Sequence, residues 1–399
     1  GEQMKKIAKL SLATAIAITG FTSSVYAADS ISEAFSNGKV KGSVKSYYFA
    51  QTFDDVTKDD SSIWANGGSL NFVTDSYKGL VLGTTFQTSH VTSIDDTAGA
   101  TKSSMDAQGS VLSEAYLQYT YDNTTFKGGR QFVSTPLLAG SGSRLIKEAF
   151  EAYLLVNTDI PDTTIVAGLV TKYQQRTDYT TTAPFTTTNT DANGGPGEFM
   201  KIGTDGIRTV YIKNNSLSNL NVQFQYADAV DIASLLYVDA KYNFGPAYVA
   251  AQYYDTNYDA ATTADSSMYG LKVGGNVMGL DLFAGYTSTN DDGDVVRGLG
   301  QGAYAHYTAT TKTAGASAFA AGTDSYQVGA GYKFGDLKTK VRYSSFDNPT
   351  VNADLDETTL NLEYKFTKAL TAQIDYSILD YENDTKDATD LRSRLIYSF

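Results

Sequence analysis

The feature that most constrains the fold of this chain is a period-two alternation of apolar and polar residues, repeated in segment after segment. In residues 220–226, which read LNVQFQY, every second residue is apolar and the residues between are amides. Residues 370–378, LTAQIDYSI, follow the same pattern. Strict alternation places one set of side chains on each face of a β-strand. We therefore expect strands with one apolar and one polar face.

About 18 such segments occur, each of roughly ten residues, which is the length that a tilted strand needs to cross a bilayer. They begin near Lys39, Ser62, Gly79, Val111, Thr124, Ala149, Thr163, Asp205, Asn219, Asp231, Pro246, Asp265, Leu280, Thr323, Asp336, Ala353, Ala369 and Ala388. Short connections such as 278–279 alternate with long ones such as 288–322. The pattern predicts an all-β fold, a transmembrane antiparallel β-barrel of about 18 strands (16 is the alternative), with short periplasmic turns and long extracellular loops.

A soluble β-sandwich is the competing interpretation, because its strands alternate as well. In a sandwich, however, the second face of each strand packs into an apolar core. Here the polar face carries Lys, Arg, Asp, Glu and Gln on strand after strand. Such charges are costly in a packed interior. They suit a water-filled lumen with the apolar face turned toward lipid.

The first 27 residues are interpreted as a short extension followed by a cleavable secretory signal peptide. Three lysines lie between positions 5 and 9, residues 10–21 are mostly apolar, and Val25-Tyr26-Ala27 is a small-residue cleavage pattern. The apolar stretch is too short to cross a bilayer as a helix. We expect cleavage after Ala27 or Ala28, export from the cytoplasm, and a single barrel formed by residues 28–399.

The last nine residues, LRSRLIYSF, form one more alternating segment. Leu391, Leu395 and Phe399 share one face, and Arg392 and Arg394 share the other. In a barrel this strand must pair with the first one, near 39–50, because lipid cannot satisfy unpaired backbone groups. A final strand that ends in Phe also resembles the signal read by the barrel assembly machinery of the bacterial outer membrane.

Composition excludes several classes of function. The chain has no cysteine, so disulfides and Cys-based zinc sites are excluded. Its net charge of −13 argues against nucleic-acid binding. A hydrolase would need a histidine base, and neither His90 nor His306 lies in a triad-like pattern. We therefore expect no enzymatic activity and no cofactor.

Several segments resemble the OprD-type outer-membrane porins of Gram-negative bacteria. They are VKGSVKSYYFAQTFDD (40–55), IWANGGSLNFVTDSYKGLVLGTTF (63–86), FKGGRQFVSTPLL (126–138) and SRLIKEAFEAYLL (143–155). The resemblance implies an 18-stranded barrel with one pore per monomer, often trimeric, and with a loop folded into the lumen. It also implies diffusion of small hydrophilic solutes. Residues 142–144 read Gly-Ser-Arg, whereas the family often has an acidic residue before the Arg, so the family's substrate preference is not transferred.

The candidate pore-lining residues are those that alternation places on the polar face and those of the loop expected to fold inward near 134–148. A basic wall is expected on the last strands and an acidic side elsewhere, which would set up an electric field across the pore. The candidates are Arg144, Glu148, Glu114, Glu151, Lys338, Lys340, Arg342, Lys365, Arg392 and Arg394.

The sequence leaves two questions open. A plugged structural or adhesive barrel, or an outer-membrane barrel hydrolase, would show the same alternation. The acidic loops favour cations at the mouth, whereas the basic wall favours anions or carboxylates deeper in the pore.

Overall fold

The computed structural model describes residues 28–95, 108–176, 198–350 and 353–399, so the expected signal segment 1–27 lies outside the described residues. One short helix, α1 (Ile31–Ser36), precedes nineteen β-strands. The strands are β1 (Lys39–Phe53), β2 (Ser61–Val73), β3 (Leu80–Asp95), β4 (Gly109–Tyr121), β5 (Thr124–Gln131), β6 (Ala149–Asn157), β7 (Thr163–Gln174), β8 (Phe199–Lys201), β9 (Ile207–Asn214), β10 (Leu220–Ala229), β11 (Ala233–Phe244), β12 (Ala247–Tyr258), β13 (Ser266–Val277), β14 (Leu280–Thr289), β15 (Asp324–Phe334), β16 (Leu337–Asp347), β17 (Leu355–Lys365), β18 (Leu370–Tyr381) and β19 (Ala388–Ser398).

Eighteen of these strands, all except β8, close into one antiparallel barrel. Each strand pairs with its neighbours in sequence, and β1 pairs with β19 over eleven residue pairs. The three-residue strand β8 pairs with the end of β7 beside β9. The predicted fold class is confirmed, and the count of 18 rather than 16 holds. Every predicted strand start lies within two residues of the observed one.

In the barrel wall, apolar side chains are exposed and polar side chains are buried, the reverse of the distribution in a water-soluble protein. On β3, Leu80, Leu82 and Phe86 are exposed, whereas Thr85 and Gln87 are buried. The apolar side chains point outward, toward lipid, and the polar ones point into the barrel. Period-two alternation thus produces a wall with a hydrocarbon-compatible outer surface and a polar inner surface.

Aromatic pairs mark the ends of the strands beside the short turns. The ring centroids of Tyr332 and Phe334 are 4.4 Å apart, and those of Tyr364 and Phe366 are 4.8 Å apart. Tyr and other aromatic rings are favoured at the boundary between hydrocarbon and water. These pairs therefore place the short-turn end of the barrel at one membrane interface.

The closure of the barrel depends on a close approach at Gly42. The backbone groups of Gly42 and Phe399 exchange two hydrogen bonds of 3.0 Å each. A Cβ atom on Gly42 would lie 2.7 Å from the backbone oxygen of Ser69 and 2.5 Å from the Phe399 ring. Glycine at this position lets the last residue pack against the first strand.

Among the described residues, no helix has both the length and the apolar character needed to cross a bilayer.

Candidate functional site

One wall of the lumen carries a concentration of positive charge. Alternate positions of β16 contribute Lys338, Lys340 and Arg342, and alternate positions of β19 contribute Arg392 and Arg394. All five side chains border one cavity of about 760 Å³. We call these five residues the basic wall. Strand alternation brings them together as the sequence predicts.

Carboxylates partly neutralise the basic wall. Glu363 accepts a hydrogen bond of 2.8 Å from Lys338, and Asp375 pairs with Arg394. Six cationic and three carboxylate side chains line the cavity, so its net charge is positive. Lys365 lies on the same strand face as Glu363, but at the exposed end of β17 and outside the cavity lining.

The loop between β5 and β6 folds into the barrel, and we call residues 132–148 the first inner loop. Leu137 and Leu138 are 0% and 1% exposed. The backbone N–H of Leu137 donates a hydrogen bond of 2.8 Å to Gln225, a buried side chain of β10. Gln225 in turn donates to Thr135. The loop thus crosses the interior from β5 to β10, and its leucines pack in an apolar cluster with wall residues such as Phe150.

The loop between β14 and β15 also folds inward, and we call residues 290–323 the second inner loop. Leu138 and Leu299 form a parallel bridge, and the N–H of Ala139 donates to Leu299 at 3.1 Å. Ser143 of the first inner loop and Thr311 of the second both border the cavity beside the basic wall. The two loops therefore narrow the lumen together. The sequence interpretation treated 288–322 only as a long extracellular connection.

Arg144 lies in a cluster of cations around the ring of Phe49. The ring centroid is 5.9 Å from the Arg144 guanidinium, 5.4 Å from that of Arg392 and 4.7 Å from the Lys312 ammonium. Asp390 contacts Lys312 at 2.7 Å and Arg392 at 2.8 Å. Burial lowers the pKa of Arg144 to about 9. Three cations with one carboxylate give this cluster a net positive charge.

Glu148 joins both inner loops to the wall. Its carboxylate accepts hydrogen bonds of 2.8 Å from the backbone N–H groups of Ser141 and Gln301. It also accepts one of 2.5 Å from the Tyr173 hydroxyl on β7. Glu148 is 1% exposed, and burial raises the pKa of its carboxyl group. The residue therefore organises the constriction and is not accessible to a solute.

A smaller cavity of about 390 Å³ lies between the inner loops and strands β9 to β11. Asp239 lines it and accepts a hydrogen bond from the hydroxyl of Tyr307. Tyr211 and Gln223 border the same space. A carboxylate thus lies on the part of the wall formed by β11, whereas the basic wall lies on β16 and β19.

Glu114 lies on the inner face of β4, as predicted. It is 6% exposed, accepts a hydrogen bond of 2.5 Å from Thr85, and lies 3.9 Å from the ammonium of Lys127. It also accepts the backbone N–H of Phe132 at the start of the first inner loop. Glu114 supports the loop and does not border the cavity of the basic wall.

Glu151 departs from the prediction. It alternates with the fully buried Phe150 and Ala152 and shares the strand face of the exposed Tyr153 and Leu155. Its carboxylate pairs with Lys172 at 3.1 Å on this outer face. The inner face of β6 is apolar because it packs against the first inner loop. A charge therefore does not mark the lumenal face of this strand.

Three functional residues escaped the sequence interpretation, namely Lys312, Glu357 and Asp390. Glu357 lies on the inner face of β17 and accepts hydrogen bonds from consecutive residues of the second inner loop. Period-two counting from Glu363 already places Glu357 on this face. The contacts themselves could not be expected, because no sequence pattern shows which wall an inner loop meets.

Neither histidine lies in a catalytic arrangement among the described residues. His90 is exposed near the end of β3. His306 is buried against Phe319, with ring centroids 4.6 Å apart, and burial lowers its pKa to about 3. Within the same part of the chain, no group of three or more His, Cys, Asp or Glu side chains could hold a metal ion.

A sequence model described as "outer membrane porin, OprD family" matches residues 34–345. No curated protein matches the sequence of the chain.

Solved structures show the same fold at low sequence identity. Acinetobacter baumannii OccAB4 is 17% identical, with a TM-score of 0.73 over 91% of this chain and 98% of that one. Pseudomonas aeruginosa OccK9 (OpdG) is 18% identical, with a TM-score of 0.75 over 92% and 99%. Pseudomonas aeruginosa OpdK, solved with vanillate, is 14% identical, with a TM-score of 0.70 over 92% and 99%.

Proposed function

The chain belongs to the OprD family of outer membrane porins, and from this premise we propose that its pore favours small solutes that carry a carboxylate. The protein resides in the bacterial outer membrane, and the family allows small solutes to pass by passive diffusion. The proposal concerns which solutes pass and which residues meet them.

The observation that carries the proposal is the charge balance of the larger cavity. Six cations against three carboxylates line about 760 Å³ beside the two inner loops. A cavity of this size accommodates a small organic acid with its hydration water. Arg and Lys side chains bind carboxylates through charge-assisted hydrogen bonds. Acidic extracellular loops attract cations to the mouth, but the narrow part of the pore then determines the selectivity.

The similar fold of OpdK was solved with vanillate, an aromatic carboxylate. This supports using vanillate as the first test solute. Vanillyl alcohol is the matched control, because it differs only at the carboxylate and carries no charge. Swelling of liposomes that contain the purified protein should be faster with vanillate. Equal rates for both solutes would contradict the proposed preference.

A plugged structural barrel is the rival assignment. Single-channel recording in planar bilayers separates the two, because a plugged barrel gives no conductance steps. The reversal potential in a salt gradient then reports anion or cation preference. An absence of steps from folded protein would overturn the proposed permeation.

We also propose that the protein is not a hydrolase. This is supported by the burial of His306, and by the position of His90 on the exposed face of β3. Phospholipid hydrolysis that is lost in the His90→Ala or His306→Ala variant would contradict this part of the proposal.

Three further parts of the assignment stay predictions. Trimerisation is testable by native mass measurement in detergent, and recognition by the barrel assembly machinery by deletion of Phe399. Signal cleavage is testable by mass spectrometry of the mature N-terminus. Of the two expected cleavage sites, only the one after Ala27 keeps Ala28 in the mature protein. The backbone N–H of Ala28 donates a hydrogen bond of 2.9 Å to the backbone oxygen of Ser76.

A further inference from the structure

Residues 301–313 of the second inner loop run along the inner wall as far as β17 and are held at both ends by buried carboxylates. We call this segment the strap. At its start, the N–H of Gln301 donates to Glu148 at 2.8 Å. At its end, residues 310–313 contact Glu357 on β17. Between these ends, Thr308 pairs with Thr287 at 2.9 Å.

Glu357 holds the end of the strap through both carboxylate oxygens. Oε1 accepts the backbone N–H groups of Thr311 at 3.1 Å and Lys312 at 2.7 Å. Oε2 accepts the N–H of Thr313 at 3.1 Å and the hydroxyls of Thr310 at 2.6 Å and Thr313 at 2.7 Å. The side chain is 1% exposed, so these donors replace the water that would otherwise solvate the charge.

One of these four residues, Thr311, borders the cavity beside the basic wall, as does Ser143. Arg342 donates to the backbone oxygen of Ala309 at 3.0 Å and also contacts Thr311. Arg392 donates to the backbone oxygen of Thr311 at 3.3 Å. Arg342 and Arg392 of the basic wall thus donate some of their hydrogen bonds to the strap.

We propose that Glu357 is the positioning residue that fixes the aperture of the pore by holding residues 310–313 of the strap against β17. The inference rests on the proposed permeation function and adds a residue that contacts no solute. When the strap is held, Thr311 narrows the cavity and occupies Arg342 and Arg392. When it is released, the cavity widens and both guanidinium groups become available to solutes.

A glutamine at position 357 tests this directly. Each carboxylate oxygen of Glu357 accepts at least one backbone N–H, so an amide NH₂ in either orientation would face a donor that cannot rotate away. We expect Glu357→Gln to raise single-channel conductance by on the order of twofold and to add open-channel noise. The polymer size excluded from the pore should rise in parallel. Glu357→Asp keeps both acceptor oxygens on a side chain one methylene shorter. Its conductance and exclusion limit should lie between those of the wild type and those of Glu357→Gln.

Two control variants distinguish an effect on the width of the pore from an effect of the lost charge. Glu363→Gln removes a charge from the cavity lining without touching the strap, so it should shift the reversal potential toward anions while the polymer exclusion limit stays that of the wild type. Asp356→Asn lies on the outer face of β17, where Asp356 accepts from Tyr343, and should leave both the conductance and the exclusion limit unchanged. A rise in exclusion limit in Glu363→Gln equal to that in Glu357→Gln would overturn the inference.

The outcomes distinguish the inference from the function on which it rests. If the wild-type protein gives no channel steps, the proposed permeation fails. If wild-type channels appear and Glu357→Gln matches them in conductance, noise and exclusion limit, the positioning role fails. Should Glu357→Gln not fold, Thr310→Val combined with Thr313→Val removes two donors while leaving the wall intact. An unchanged exclusion limit in that variant would also overturn the inference.

Discussion

The carboxylate of Glu148 accepts a hydrogen bond of 2.8 Å from the backbone N–H of Gln301, 153 residues further along the chain. The contact joins two loops that leave the wall at β5 and β14. Because the same carboxylate also accepts the Tyr173 hydroxyl, one side chain fixes both loops relative to the barrel. The constriction is therefore a single connected structure.

The buried Glu148 predicts a pH dependence of stability. Burial raises its pKa in the folded state above the usual value of 4.5. A carboxyl group with a raised folded pKa binds its proton more tightly when the protein is folded, so stability falls as pH rises through the window above 4.5. Glu148→Gln removes this contribution. The variant should lose less stability than the wild type between about pH 5 and about pH 7.

The measurement is the thermal unfolding midpoint of both proteins in detergent at the two pH values. Other carboxylates titrate in both proteins and cancel in the difference between them. Parallel pH profiles for wild type and Glu148→Gln would show that the burial of Glu148 has no energetic consequence.

The basic wall predicts the ion selectivity of the pore. Replacing Lys338, Lys340 and Arg342 by Gln removes three cations from one side of the cavity. The reversal potential in a salt gradient should shift toward cation preference. Lys386→Gln, in the extracellular connection between β18 and β19, is the control for charge outside the lumen. An unchanged potential in the triple variant would show that these residues do not line the narrow part.

Asp390 predicts a shift in the opposite direction. It is the carboxylate that contacts both Lys312 and Arg392. Asp390→Asn keeps an acceptor for Arg392 but leaves the cluster around Phe49 with more net positive charge. Anion preference should increase, and half-saturation of current block by vanillate should occur at a lower concentration. A shift of the reversal potential toward cations would contradict the assigned electrostatics.

The close approach of β1 to its neighbours at Gly42 predicts that a larger residue at this position destabilises the closed barrel. Gly42→Ala places a Cβ atom 2.7 Å from the backbone oxygen of Ser69, which cannot move aside as a side chain could. Overpacking of this kind costs roughly 1–3 kcal/mol, so the variant should unfold at lower urea concentration. Gly331→Ala is the matched control, since its nearest contact would be an ordinary 3.4 Å. Equal destabilisation of both variants would exclude a specific effect at the contact between β1 and β19.

The barrel was predictable from sequence because its signal is local. Alternation on each strand follows from the requirement that one face meets lipid and the other water. Lys338, Lys340 and Arg342 could be assigned to one face by counting alone, and the same counting would have found Glu357.

The constriction was less predictable, because its contacts are not local. Nothing in residues 290–323 distinguishes a loop that folds inward from one that stays outside. Glu151 was misassigned for a related reason. On β6 the lumenal face is apolar because it packs against the first inner loop, so charge does not mark the lumen there. Polarity therefore does not identify the inner face on every strand.

The pairing of Gly42 with Phe399 has a consequence for biogenesis. The hydrogen bonds that complete the sheet join its first strand to its last, so β1 keeps an open edge until β19 has been synthesised. An open edge in hydrocarbon leaves backbone groups without partners. Stepwise insertion during translation would expose that edge at every intermediate stage. Before the wall of the barrel lies in hydrocarbon, β1 must therefore have met β19 or another partner for its edge.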